Sequence, residues 1–386
     1  MAHIRKVTHR SGKSSWQVRY RTPDGHERAK NFARKIDAEQ HLTKVEGAKL
    51  DGLWTDPRSG RIRFGEWATR WMRTRRDRRP STVARDESVM ASLVFPHLGD
   101  MPLLAIRSDT LQQWVSQLTV DGYSAETVRK AWQLASGALR AAVAARRIAH
   151  SPTEGVSLPK LEQGEQRFLS ADEILSLADA IDPQYRCMVL LGGFAGLRFG
   201  EVCALKGQSF SELSRSITIT ETLTQVKGVI RVGPPKTKAS RRSVMLPGFV
   251  VTELVEHLKT FPPGDNGLLF AAPAGGPISP THWRGRVWKQ SVRASVGEPL
   301  RFHELRHSHV ALLIAQGEHP SVIASRLGHT STRVVLDRYG HLFSGIDEAA
   351  ADRLNDLVSN SRADATRTQA SKRAIGKSVE PRKNPS

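Results

Sequence analysis

Residues 301–341 read RFHELRHSHVALLIAQGEHPSVIASRLGHTSTRVVLDRYGH, and their chemistry-bearing side chains are His303, Arg306, His307, His329 and Tyr339, in that order. His303 and Arg306 stand three apart at the start of a stretch whose Leu305, Val310, Leu312, Leu313 and Ile314 recur with helical spacing, so both project from one face. Amides of a first helical turn lack intrahelical partners and the dipole is positive there, so these side chains stand where a phosphate is already favoured. A phenol with an ordinary pKa near ~10 is ionised about one part in a thousand at pH 7, and making it a nucleophile takes roughly 4 kcal/mol from nearby cations or a base. Arginine and histidine supply that, so the pattern points to Tyr339 attacking a phosphate.

The same residues contain a rival. His303-Glu304-Leu305-Arg306-His307 fits H-E-x-x-H, in which two histidines hold zinc and the glutamate is general base. The extended form of that motif needs glycine at position 310 and histidine at 313, where this chain has Val310 and Leu313. Glu318, the nearest downstream carboxylate, falls in a Gly-Glu-His-Pro turn rather than on a second ligand helix. No metal and no cofactor are expected.

A second constellation lies upstream. Residues 187–205 (CMVLLGGFAGLRFGEVCAL) predict an apolar helix broken at Gly196, then Arg198, then Glu201 opening another helix. An arginine in so apolar a neighbourhood is costly unless it is paired or binds an anion, and Glu201 is the expected partner. Residues 216–247 read as strands, with Ile217 and Ile219, Val229 and Val232, and Val244 and Leu246 as their apolar positions. Pro235-Lys236-Thr237 falls at the turn before the third, while Arg241 and Arg242 are assigned to backbone or solvent contacts.

The elements that must position these groups begin with SSWQVRYR (residues 14–21), which alternates Trp16, Val18 and Tyr20 against Gln17, Arg19 and Arg21. A Thr22-Pro23-Asp24-Gly25 turn leads to a partner strand with Arg28, Lys30 and Phe32, a third strand covers Ile4 to Thr8, and a helix runs from about Asp37 to a stop at Gly52. Such a basic face fits a major groove, and by pattern alone it fits a solvated charged face equally well. Residues 57–150 read as helices: Phe64, Trp67, Ala68, Trp71 and Met72 keep helical spacing and predict core. The run Arg73, Arg75, Arg76, Arg78 and Arg79 follows before Pro80. Ser81, Ser108 and Ser124 are the expected caps of three further helices, the last running to about Arg147. Residues 151–169 read as a linker, and Ser170-Ala171-Asp172-Glu173 as a capping box opening the next domain.

Net charge is +20 with histidines neutral, which predicts a polyanionic partner. Residues 1–56 carry +5, 57–160 carry +8, 161–360 only +2 and 361–386 +5, so the first two segments are the expected grips on nucleic acid. The two cysteines, Cys187 and Cys203, sit in apolar context and predict free thiols in a reducing compartment. There is no apolar signal core and no run of about 20 apolar residues, so a cytoplasmic protein is expected.

HELRH, LGH and LDRYGH, with Gly-Leu-Arg-x-Gly-Glu upstream, resemble the two signatures of the tyrosine recombinases, the phage-type integrases. The resemblance covers roughly residues 57–345 and implies a multidomain protein. Its parts are a small α+β arm-type DNA-binding domain (three-stranded sheet plus helix, residues 1–56), an all-α core-binding bundle (57–150) and a linker (151–169). A mixed, mainly α catalytic domain with a small antiparallel sheet (170–360) and a flexible basic tail (361–386) follow. It implies a catalytic set of Arg198, Lys236, His303, Arg306, His329 and Tyr339, with Glu201 and His307 behind them. Lys236 would protonate the leaving oxygen, with Lys238 as competitor. Arg19, Arg21, Arg73, Arg75, Arg76, Arg78 and Arg79 would bind DNA. The implied reaction is cleavage through a 3′-phosphotyrosyl link without ATP or metal, by a homotetramer on double-stranded attachment sites, with room for accessory DNA-bending and directionality proteins. Residues 346–358 predict a helix that docks on a neighbouring protomer or packs in cis. The alternatives kept open are a type IB topoisomerase and a non-catalytic sequence-specific regulator.

Overall fold

The computed structural model describes residues 2–8, 13–22, 25–50, 59–75, 77–161, 166–235, 237–264, 266–297 and 299–343, with five helical positions at 351, 352, 354, 355 and 358. Apart from those five positions, the expected 346–358 helix lies outside the described residues, as do its docking and the basic tail. Met1–Gly164 forms one compact unit and Glu165–Ser386 a second.

In the first unit β1 (His3–Thr8), β2 (Ser14–Arg21) and β3 (Glu27–Phe32) make an antiparallel sheet in the order β1-β2-β3. The alternation in β2 decides its faces. Val18 and Tyr20 bury against Ala38 and Val45 of α1 (Lys35–Leu50), with Trp16 and Phe32 packed beside them. Register then sets Arg5, Gln17 and Asn31 abreast: the Gln17 carboxamide accepts from Arg5 Nε (3.0 Å) and Arg19 Nε (2.9 Å) and donates to Asn31 Oδ1 (3.0 Å).

The helical part comprises α2 (Phe64–Arg73), α3 (Pro80–Val89), α4 (Phe95–Leu98), α5 (Ser108–Val120) and α6 (Ala125–Ala144). Its tryptophans are core: Trp67 Nε1 donates to the Ala138 carbonyl (2.8 Å) and Trp114 Nε1 to that of Leu93 (2.9 Å). Two expected caps are corrected. Helix α3 starts at Pro80, whose fixed φ and missing N–H suit a first turn, so Ser81 lies inside it, and Ser108 is itself the first residue of α5. Ser124 does cap α6, its Oγ accepting the Thr127 N–H at 3.3 Å. Val156 and Leu158 pack on this bundle's core, and Arg129 Nε donates to the Pro159 carbonyl (2.8 Å).

The second unit opens with α7 (Ala171–Ala180), where Ser170 and Glu173 make the expected capping box. Helix α8 (Arg186–Ala195) is buried on nearly every side and packs against α7, α10 (Gly248–Thr260) and α13 (Phe302–Ala315). Between α9 (Phe199–Val202) and α10 the strands divide into two sheets. One has the order β4 (Phe210–Ser211), β5 (Ser216–Ile219), β8 (Arg242–Met245), with Ile217 opposite Val244 in the core; the other is the hairpin β6 (Thr222–Val226) and β7 (Val229–Gly233). The split follows from side chains: Ile217, Ile219 and Val244 supply a buried face, whereas Thr224, Val229, Arg231 and Val232 lie exposed. Helices α11 (Pro280–Trp283), α12 (Lys289–Ser295), α14 (Pro320–Leu327) and α15 (Arg333–Tyr339) complete the unit. Cys187 and Cys203 are free and buried, and burial pushes the Cys187 thiol up to about 12. No described helix is long and apolar enough to cross a membrane.

Candidate active site

Four chain segments in the second unit deliver the site, and two glycines set their approach. Helix α8 stops at Gly196 in the left-handed region (φ +68°), where an added Cβ would lie 2.6 Å from the His309 ring. The turned chain then presents Arg198, whose N–H donates to Glu201 Oε2 (2.9 Å) and whose Nη1 donates to Oε1 (2.7 Å). Helix α13 contributes His303, Arg306 and His307 from its first two turns, with the Glu304 carboxylate accepting the Arg301 N–H (2.8 Å). Helix α14 ends at Gly328 (φ +66°), which releases His329, and α15 ends on Tyr339.

Arg306 is only 3% exposed and makes no ion pair among the described residues. Its guanidinium donates to the carbonyls of Gly196 and Leu327 (both 2.6 Å) and lies 3.3 Å from His329 Nε2. Burial, then the charge of Arg198, brings its pKa down to about 9. A buried cation held by carbonyls beside a second cation favours binding of an anion. Burial, followed by Arg306 and Arg198, also lowers His303 and His329 to about 4, although His303 as a residue is exposed. Both are therefore neutral at pH 7 and able to accept a proton or donate one hydrogen bond. His307 is buried, stacks edge-on against His303 (4.6 Å between centroids) and hydrogen-bonds the Tyr339 hydroxyl through Nδ1. Tyr339 is 3% exposed, and burial raises its phenol against the opposing pull of Arg338 and Arg306. The arrangement gathers a neutral phenol, two guanidiniums and three neutral imidazoles.

Glu201, nearly inaccessible, is shared between two arginines: Arg242 Nη1 and Nη2 donate to its oxygens at 3.2 and 3.0 Å. Burial pushes this carboxyl up, but the Arg242 hydrogen bonds and charge, with help from Arg198, outweigh it and hold the pKa at about 2. The sequence reading assigned Arg242 to backbone or solvent contacts; it does meet two backbone carbonyls, but its side chain is 7% exposed and also grips Glu201, which that reading did not name. Strand periodicity could have found it, since Arg242 shares a face of β8 with the buried Val244.

The structure thus brings together Arg198, Glu201, His303, Arg306, His307, His329 and Tyr339. Lys236 lies outside the described residues, and only the backbone of Lys238 is described, opening the short turn Lys238–Ser240. Among the arginines expected at DNA, Arg21, Arg73, Arg78 and Arg79 are exposed, Arg19 is half-buried beside Gln17, and Arg76 lies outside the described residues. Arg75 stacks over Trp71 at 4.4 Å and, like Arg78, lies 3.8 Å from Asp86, a 3%-exposed carboxylate that also meets Lys130 at 3.0 Å. Nothing in sequence spacing marks Asp86 as the hub of that run. No three His, Cys, Asp or Glu side chains among the described residues cluster as a metal site.

The buried imidazoles predict an acid-sensitive unit. His307 and His309 are each lowered to about 3, by burial first and neighbouring arginines next (Arg338 for His307, Arg326 for His309). The unfolded chain therefore binds more protons than the folded one between pH 3 and 6.5, so their contribution is complete above pH 6.5 and is lost as pH falls toward 3. At pH 5 each should have withdrawn ~2 kcal/mol. Thermal melts should show the second unit's midpoint falling steeply between pH 7 and 5, with a shallower fall in His309→Gln; equal slopes in both proteins would refute this.

Residues 167–345 match the phage integrase family, and residues 64–157 match the phage integrase central domain. The putative prophage phiRv2 integrase of Mycobacterium tuberculosis is 27% identical over 362 residues, covering 89% of this chain and 93% of that protein. Among solved structures, the Tn1549 transposon integrase in complex with a circular intermediate DNA aligns with a TM-score of 0.68 at 19% identity, over 76% of this chain and 99% of that one. A lambda integrase tetramer bound to a Holliday junction aligns with a TM-score of 0.54 at 19% identity, over 84% and 92%.

Proposed function

The chain belongs to the phage integrase family of tyrosine recombinases, and we propose that it is a site-specific recombinase that integrates or excises a mobile element through a 3′-phosphotyrosyl intermediate. The observation that carries this reading is the convergence of Arg198, His303, His329 and Tyr339 on the buried guanidinium of Arg306, which has no ion pair among the described residues. In the reaction Arg198 and Arg306 donate to the two non-bridging oxygens and His329 donates a further bond, meeting negative charge where it develops. Tyr339 Oη forms a bond to phosphorus as the bond to the 5′ oxygen breaks, and His303 takes the phenolic proton or holds the phosphate. Lys236, or Lys238 in its place, returns a proton to the leaving oxygen. One phosphodiester is exchanged for another, so rejoining needs no ATP, and the charge is supplied by guanidiniums rather than a metal.

Residues 1–56 act as an arm-type DNA-binding domain and 57–150 as the core-binding domain, with Arg73, Arg78 and Arg79 gripping phosphates and 151–169 leading into the catalytic domain over 170–360. A homotetramer exchanges strands at a four-way junction, in keeping with the lambda integrase tetramer on a Holliday junction, and accessory bending and directionality proteins set its choice of reaction. It works in the cytoplasm, where its DNA lies.

The test is topological. Purified protein is incubated with plasmids that carry candidate attachment sites and with site-free controls. Recombinant products confined to the first are expected; relaxation of any supercoiled plasmid would indicate a type IB topoisomerase, and tight binding without products a regulator. Binding should also weaken with salt by at least ~10³-fold between 50 and 200 mM, since about six or more phosphate contacts release counterions. A titration flat across that range would contradict the phosphate grip.

A further inference from the structure

The Arg242 guanidinium ties three site-bearing segments together. It lies at the start of β8 with its side chain 7% exposed. Nε donates to the carbonyl of Arg326 (2.6 Å), at the end of α14 just before the turn that carries His329. Nη1 donates to the carbonyl of Ser240 (3.1 Å), in the turn that follows Lys236 and begins at Lys238. Nη1 and Nη2 together grip the Glu201 carboxylate. The approach is close: an added Cβ on Gly328 would meet the Ala239 carbonyl at 2.8 Å and Arg242 Cδ at 3.1 Å.

What passes through Glu201 reaches Arg198. The Glu201 oxygens receive the Arg198 N–H and only one of its guanidinium nitrogens, Nη1; Arg242 takes the rest of the carboxylate. Without Arg242, a buried carboxylate would have half its valence unmet, and it would either draw Arg198 inward or take up a proton. With Arg242 in place, Nε and Nη2 of Arg198, a side chain 37% exposed, take no part in the Glu201 pair.

We propose that Arg242 is a positioning residue of the strand-transfer reaction: through Glu201 it aims Arg198, and through the Arg326 and Ser240 carbonyls it fixes the His329 turn and the Lys238–Ser240 turn against it. It does not contact the phosphate. Lysine cannot replace it, because an ammonium lacks the planar fork that spans a carboxylate while also reaching two carbonyls. The inference rests on the recombinase reading above, and wild-type protein serves to separate the two.

The experiment uses full-length wild type, Arg242→Gln, Arg242→Lys, Glu201→Gln and the Arg242→Gln/Glu201→Gln double variant. Single-turnover formation of the covalent adduct on a nicked attachment-site substrate is measured beside DNA affinity and thermal midpoint. Arg242→Lys should keep DNA affinity within about threefold and most of the thermal midpoint, while its cleavage rate falls ~10²-fold, the scale of losing the one transition-state donor, Arg198, that it aims. The double variant should be little slower than the slower single, because both act on Arg198 along one path. Wild-type cleavage rates in Arg242→Lys, losses that track only folded fraction or DNA affinity, or fully multiplicative losses in the double variant would each overturn the proposal. Absence of adduct in wild type would instead defeat the recombinase reading.

Discussion

Tyr339→Phe protein should bind attachment-site DNA within about threefold of wild type yet form no detergent-resistant protein–DNA adduct, a loss of at least ~10⁴-fold in strand cleavage. The substitution deletes one oxygen from a residue whose ring otherwise keeps its place between Phe168 and the α13–α15 core. Burial raises the phenol, and the hydroxyl rests on His307 Nδ1, so the nucleophile is neutral until it meets the phosphate. Its proton must then leave during attack, and in the proposed reaction His303, lowered to about 4 and neutral at pH 7, takes it. The assay is run with chelator on supercoiled DNA, comparing wild type with the variant after detergent and heat. Losing the hydroxyl also leaves His307 Nδ1 buried without its partner, so the variant should be less stable by ~1–3 kcal/mol, which melts can register. An adduct formed by the phenylalanine protein would move the nucleophile elsewhere.

What the sequence made legible here is local, and what it hid depends on contacts between distant segments. Gly196 before Arg198, Glu201 three residues on, and the ordered His303, Arg306, His329 and Tyr339 could be read because each belongs to a turn, a cap or a helix face whose chemistry is fixed over a few residues. The three-stranded sheet followed from alternation in residues 14–21, and the bundle from the spacing around Trp67 and Trp71. Arg242 and Asp86 escaped for the opposite reason. Each is a charged residue in a stretch of charged residues, and only the fold shows that Arg242 meets Glu201 across 41 positions or that Asp86 sits under Arg75 and Lys130. The caps at Ser81 and Ser108 were misplaced because Pro80 offers a competing helix start and because a serine one position inside a helix looks like a cap from composition alone.

Arg306→Ala should reduce adduct formation by ~10³–10⁵-fold, the scale set by other arginines that meet transferring phosphoryl groups, and Arg306→Lys should recover only a small part of it. A guanidinium 3% exposed with no ion pair among the described residues has its pKa brought down to about 9, so the folded protein holds its charge at a cost that an anion would repay. In the proposed reaction that anion is the scissile phosphate, and a lysine would place a point charge where two parallel donors are needed. The same residue has a structural part, since its loss strands the Gly196 and Leu327 carbonyls. Two readings are therefore separated by ligand-linked stability. Inorganic phosphate or vanadate should raise the thermal midpoint of wild type and leave that of Arg306→Ala and Arg306→Lys almost unmoved, while DNA affinity at moderate salt changes by less than tenfold. Adduct formation by Arg306→Ala within tenfold of wild type, or an undiminished response of its midpoint to phosphate, would remove Arg306 from the phosphate and leave it a strut between α8, α13 and α14.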